Sequence, residues 1–143
     1  MPVRKGQGEW RGDLMKGSGT LGTESGALKG LPYSFASRFE SGKGTNPEEL
    51  LAAAHAACYS MALSGGLSGK GYKVNSVRTE NSVRIEKQGD GFAITGIEIS
   101  TEASVDGIDD ATFQKLAEET KAGCPVSKAL ASVKMTLSAR LKK

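Results

Sequence analysis

The chain has 143 residues, 38% of them hydrophobic and 24% charged, long enough to fold as one domain, residues 1–143, around a sizeable core. The net charge of +3 comes from Lys and Arg scattered along the chain, and only 6% of residues are aromatic, so a nucleic-acid surface is not expected. Met1 is not followed by an apolar run and no stretch approaches about 18 apolar residues, so neither a secretory signal nor a membrane span is expected, and a cytoplasmic location follows by default.

The first forty residues are rich in glycine, with short alternating pieces such as "GEWRGDLM" between the glycines, a pattern of short strands joined by turns. In "YSFASRFE" strand alternation puts Tyr33, Phe35, Ser37 and Phe39 on one face, with Arg38 pointing away from both phenylalanines. The spacing in "GTNPEELLAAAHAACYSMAL" predicts a helix over 45–64. Asn46 suits the N-cap, Pro47 the first helical position, and Glu49 stands three residues after the cap as a capping box requires. Glu48 is left free of that task. From Leu50 to Leu63 the segment is almost wholly apolar, which predicts a helix buried on most sides.

A Gly/Ser-rich turn, "SGGLSGKG", should follow. The runs "YKVNSVRTENSVRIEKQ" and "GFAITGIEISTEASV" flank "GDG" and predict a hairpin of long strands. In "DDATFQKLAEETKAG" Phe113, Leu116, Ala117 and Thr120 form one helical stripe, and Gly123 is placed to end the helix. "CPVSKALAS" restarts a short helix with Cys124 at its cap. "VKMTLSARL" closes the chain as a strand with Val133, Met135, Leu137, Ala139 and Leu141 inward. The fold class is α+β with mainly antiparallel sheet.

Two cysteines stand out. Cys58 lies mid-helix, where a free Cys serves as a small hydrophobe and burial without a cation makes the thiol inert. Cys124 lies at a helix start, where unpaired N–H groups favour a thiolate. Core filling and reactivity both remain open for each. One His and two Cys match no common zinc spacing, so no metal site is expected. His55, one turn before Cys58, suits either a packed role or activation of that thiol.

The stretches "RFE…KGTNPEELLAAAHAACYSMAL" and "KAGCPVSKAL", with "GEWRGD", "GTLGTESG" and "GFAITGIEIS" around them, resemble the OsmC (osmotically inducible protein C) branch of the OsmC/Ohr family of organic hydroperoxide reductases, over essentially the whole chain. The resemblance implies the OsmC-like fold, antiparallel sheets packed around a central helix in an intertwined homodimer. It implies a thiol peroxidase with Cys58 peroxidatic, Cys124 resolving, and Arg38 and Glu48 in support. In the Ohr branch the arginine comes from a glycine-rich N-terminal loop; the matching "LMKGSGT" has Lys16 and no Arg, so Arg38 follows the OsmC pattern. Tyr59 stands where Phe is expected and would bring a hydroxyl near the pocket. The resemblance also implies no bound cofactor and recycling by an external dithiol such as a lipoylated protein.

These residue types suit the chemistry. A thiolate attacks the distal peroxide oxygen, an alcohol leaves, and the resulting sulfenic acid condenses with a second thiol. Arg38 would stabilise thiolate and breaking O–O bond, and Glu48 would orient its guanidinium. Leu50, Leu51, Met61, Phe35 and Phe39 suggest an alkyl or aryl tail on the substrate. Glu48 and Cys58 sit ten residues apart on one helix, about 15 Å along its axis, so Arg38 and Glu48 would serve the Cys58 of another subunit. That predicts a homodimer with two interfacial sites. The competing readings are a non-enzymatic binder of apolar ligands and a redox sensor that oxidises once.

Overall fold

Short strands form among the early glycines as their alternation predicts: β1 (Gly6–Arg11), β2 (Ser18–Thr23) and β3 (Leu31–Tyr33) make an antiparallel sheet in the order β1-β2-β3. The structure is a computed structural model describing residues 1–142, and the chain divides into two units, Met1–Leu50 and the part from Leu51 onward. Within the first unit Trp10 pairs with Gly19 and Gly19 with Tyr33. The two rings close over the glycine with centroids 5.4 Å apart. A Cβ on Gly19 would stand 2.5 Å from the Tyr33 ring, so only glycine lets this aromatic pair form.

The strand expected through 33–40 stops at Tyr33, and α1 (Phe35–Phe39) follows. Ser34 and Ser37 cap it reciprocally: the Ser34 hydroxyl accepts from the Ser37 N–H at 3.1 Å, and the Ser37 hydroxyl accepts from the Ser34 N–H at 2.8 Å. Two satisfied donors outweigh a short alternating pattern that fits either structure. Phe35 and Phe39 remain on one face, now because they are one helical turn apart, with centroids at 4.9 Å. Arg38 does not point away from them; its guanidinium carbon lies 5.2 Å from the Phe39 ring centre.

The long helix, α2 (Pro47–Gly69), starts as expected, with Asn46 Oδ1 accepting from the Glu49 N–H at 2.8 Å. Only that half of the capping box forms, because the Glu49 carboxylate accepts from the Thr45 hydroxyl instead, at 2.7 Å. The helix then runs through "SGGLSG", where a turn was expected. Leu63 and Leu67 are fully buried, and burying such side chains stabilises by roughly 1.5–3 kcal/mol each. That exceeds the ~1 kcal/mol each interior glycine costs.

His55, Tyr59, Leu63 and Leu67 form the buried stripe of α2 at a spacing of four. The opposite side is not buried within the chain: Ala53, Ala54 and Ala57 are exposed, and Met61 is 79% exposed. By length and composition α2 is apolar enough to cross a membrane, contrary to the expectation that no segment is. Its stripe in the hydrophobic core marks it as the core helix.

In the second unit β4 (Lys73–Gln88) and β5 (Gly91–Asp106) form the expected antiparallel hairpin. Gly89 (φ 60°) supplies the positive φ at the start of its two-residue turn. The chain then crosses through α3 (Asp110–Gly123) and α4 (Pro125–Ala129), and β6 (Met135–Leu141) lies parallel to β5. The sheets are therefore not wholly antiparallel; two intervening helices give the crossover length that parallel pairing needs. Gly123 remains helical, and Cys124 ends α3, its N–H donating to Thr120 O at 3.0 Å. Pro125 forces the residue before it out of the helical region, and Cys124 accordingly adopts ψ 144°. Ile97, Ile99, Phe113 and Leu116 meet the α2 stripe to complete the core.

Candidate active site

Arg38 and Glu48 are brought together within the first unit. Arg38 ends α1 and Glu48 opens α2; Nη2 donates to Oε1 at 2.8 Å, and Nε donates to Oε1 at 3.1 Å and Oε2 at 3.3 Å. The Glu48 side chain is 7% exposed and that of Arg38 37%, so a buried carboxylate holds a partly exposed guanidinium. The pairing is the forked kind that fixes orientation as well as charge.

That guanidinium borders a cleft of about 250 Å³ walled by Trp10, Leu14, Tyr33, Phe35 and Phe39. Phe35 and Phe39 were expected at the apolar surroundings; Leu50, Leu51 and Met61 do not line this cleft. Trp10 and Leu14 were missed. Their signal lay in the N-terminal "EWRGDLM", where a Trp and a Leu flank a short turn. A wider depression of about 660 Å³ over β1 and β2 is lined by neither cysteine nor arginine.

Cys58 and Cys124 are brought together in the second unit, both as free thiols, Cys58 half-buried and Cys124 buried. Burial pushes the Cys58 thiol up; a backbone hydrogen bond from Val126 opposes this, while the hydrogen bond and charge of Cys124 add to the rise. Among the described residues Cys58 therefore meets a second sulfur and no cation that lowers its pKa.

Cys124 caps α4. Its thiol donates to Ser127 Oγ at 3.1 Å and its sulfur accepts from the Ser127 N–H at 3.3 Å. Ser127 Oγ also lies 2.7 Å from His55 Nε2, and both side chains are buried. His55 thus pairs with Ser127, and burial lowers its pKa. Sequence reasoning missed Ser127, although it stands three residues after the cap, where the cap side chain must reach. Tyr59 does not bring a hydroxyl to the pocket: it is fully buried, donates to Ala117 O at 2.8 Å, and burial pushes its pKa far up.

An α+β chain carrying a forked Arg–Glu pair and two adjacent free thiols fits a class of thiol-bearing redox proteins. A sequence model of the family described as OsmC-like protein matches residues 40–138. The chain is 50% identical over 139 residues to peroxiredoxin OsmC of Escherichia coli K12, covering 97% of this chain and 96% of that one. It is 36% identical over 89 residues to the organic hydroperoxide resistance protein of Xanthomonas axonopodis pv. citri, covering 62% of this chain and 61% of the relative. Among solved structures it resembles the organic hydroperoxide resistance protein OhrB of Bacillus subtilis, with a TM-score of 0.66 at 25% identity over 96% and 98% of the two chains. It shares the fold of an OsmC-like protein from Mycoplasma pneumoniae, with a TM-score of 0.74 at 14% identity over 99% of each. The chain belongs to the OsmC/Ohr family.

Proposed function

We infer that the chain is a peroxidase reducing organic hydroperoxides to alcohols through Cys58 and Cys124. The observation that carries this reading is the pair of adjacent free thiols, one accessible and one buried, in a chain half identical to a peroxiredoxin over nearly its whole length. The Cys58 thiolate attacks the distal oxygen of the hydroperoxide; the O–O bond breaks, the alcohol leaves, and Cys58 becomes a sulfenic acid. Cys124 then displaces hydroxide from the Cys58 sulfur to form a disulfide. An external dithiol of the lipoyl type restores both thiols, with no bound cofactor.

Burial holds the Cys58 thiol in its protonated form, so the reaction needs a cation beside it. Arg38, pre-aimed by Glu48, supplies one from a second copy of the chain. Supporting this is the helix itself, which separates Glu48 from Cys58 by ten residues, about 15 Å of axial rise. The exposed apolar side of α2, Ala53, Ala54, Ala57 and Met61, supports self-association, since such patches mark interaction surfaces. The cleft by Arg38 suits an alkyl or aryl tail. The test is turnover of cumene hydroperoxide with dithiothreitol by the wild type and Cys58→Ser. Loss of turnover in a folded Cys58→Ser protein is expected; retained turnover would assign the chemistry elsewhere.

A further inference from the structure

His55 is the one histidine of the chain, fully buried on α2, and the thiol cycle gives it no task. Its Nε2 lies 2.7 Å from Ser127 Oγ, and that oxygen accepts from the Cys124 thiol at 3.1 Å. Cys124, Ser127 and His55 thus form a continuous buried line. The Ser127 oxygen has two lone pairs, so its contact with His55 runs in either direction with the ring tautomer; the tautomer that can take up a proton from Ser127 carries its own proton on Nδ1 and accepts at Nε2. Nδ1 has no hydrogen-bond partner among the described residues, so Nε2 is the ring's connection to the site. Burial lowers the pKa of His55, which keeps the ring neutral and able to accept a proton.

We propose that Ser127 and His55 are the proton acceptor for Cys124 in the step that closes the disulfide. The proposal rests on the two-cysteine reading above. As the Cys124 sulfur attacks the sulfenic sulfur of Cys58, its proton passes to Ser127 Oγ and the serine proton passes to His55 Nε2. The S–O bond of Cys58 breaks and the S–S bond forms; the Cys58 sulfur is reduced and the Cys124 sulfur oxidised. The hydroxide takes a proton from solvent at half-buried Cys58 and leaves as water. The Ser127 N–H, 3.3 Å from the Cys124 sulfur, supports the charge that develops there. Burial disfavours the charged ring, so His55 holds the proton only through the closing step and gives it up to the solvent that protonated the hydroxide. When an external dithiol attacks Cys58 and expels Cys124, a proton returns to the Cys124 thiolate along the same line. Ser127 touches the reacting sulfur; His55 acts only through it.

The test separates the two oxidation steps. Wild type, Ser127→Ala, His55→Gln and Ser127→Thr are mixed with equimolar cumene hydroperoxide and quenched at intervals. Mass spectrometry then reads dimedone-trapped sulfenic acid at Cys58 and the Cys58–Cys124 disulfide. In Ser127→Ala and His55→Gln, Cys58 should oxidise as in the wild type while disulfide closure slows about 100-fold, so sulfenic acid accumulates. Ser127→Thr keeps the hydroxyl and should restore closure. Closure in Ser127→Ala as fast as in the wild type would overturn the relay, as would equal slowing of both steps, the mark of a purely structural role. A wild type that consumes hydroperoxide without ever closing the disulfide would instead remove the two-cysteine reading, and the relay with it.

Discussion

The Arg38 guanidinium is held by the Glu48 carboxylate through three donor–acceptor contacts, the shortest 2.8 Å, with the acid buried and the base partly open. A cation fixed this way keeps free donors for a reacting anion. Arg38→Ala should slow oxidation of Cys58 by about 100-fold, the typical effect of losing one preorganised donor. It should also destabilise the fold by about 1–3 kcal/mol, because Glu48 is left buried with unmet hydrogen-bonding capacity. Stopped-flow oxidation and urea denaturation measure the two effects separately. Oxidation at the wild-type rate would take Arg38 out of the mechanism.

The apolar cleft beside Arg38 should set substrate preference. Phe35→Ala removes one wall and the ring packed at a tilt against Phe39. Loss of one such contact changes discrimination by about 10-fold. The kcat/KM for cumene hydroperoxide should fall more than that for tert-butyl hydroperoxide. Equal losses with both substrates would place the tail elsewhere.

Self-association should depend on the open side of α2. Met61→Glu puts a charge at a position 79% exposed in the single chain, so it leaves that chain's core intact. Analytical ultracentrifugation should find the wild type dimeric and this variant shifted to monomer, with peroxidase turnover lost in parallel. A monomeric variant that keeps full turnover would show that each site is complete within one chain.

His55 should give stability a dependence on pH. Its folded pKa lies below the ordinary value of 6.5 because burial disfavours the charged ring, so below that value the unfolded chain binds more protons than the folded one. The contribution is therefore present above pH 6.5 and is lost as pH falls through it toward the folded pKa. Denaturation of wild type and His55→Gln across this window should show the wild type losing more stability on acidification. Parallel curves would mean that the buried ring does not titrate on unfolding.

The capping of α1 is testable by substitution. The Ser34 hydroxyl accepts from the Ser37 N–H, and Ser34→Ala should cost about 1 kcal/mol. Thermal unfolding checks this, and an unchanged midpoint would show that α1 is held by tertiary contacts alone.

The elements legible in the sequence were those whose pattern and punctuation agree. The long hairpin, the stripe of Phe113, Leu116 and Ala117, the start of α2 at Asn46 and the Cys124 cap all carry local signals that the fold keeps. Segments 33–40 and 64–69 were misread because local pattern there is outweighed. Reciprocal serine caps convert the first to helix, and buried Leu67 carries α2 through glycines. Of the site, Cys58, Cys124, Arg38 and Glu48 stand out by residue type and resemblance. The contact of Ser127 with His55 spans 72 positions, and no local periodicity encodes it.

The most direct measurement of the central claim is intact mass and free-thiol content of reduced protein after cumene hydroperoxide, before and after dithiothreitol. The account predicts rapid loss of both thiols and of two hydrogens per chain, reversed by the dithiol. Thiols that stay reduced under excess hydroperoxide would contradict it and return Cys58 to a packing role.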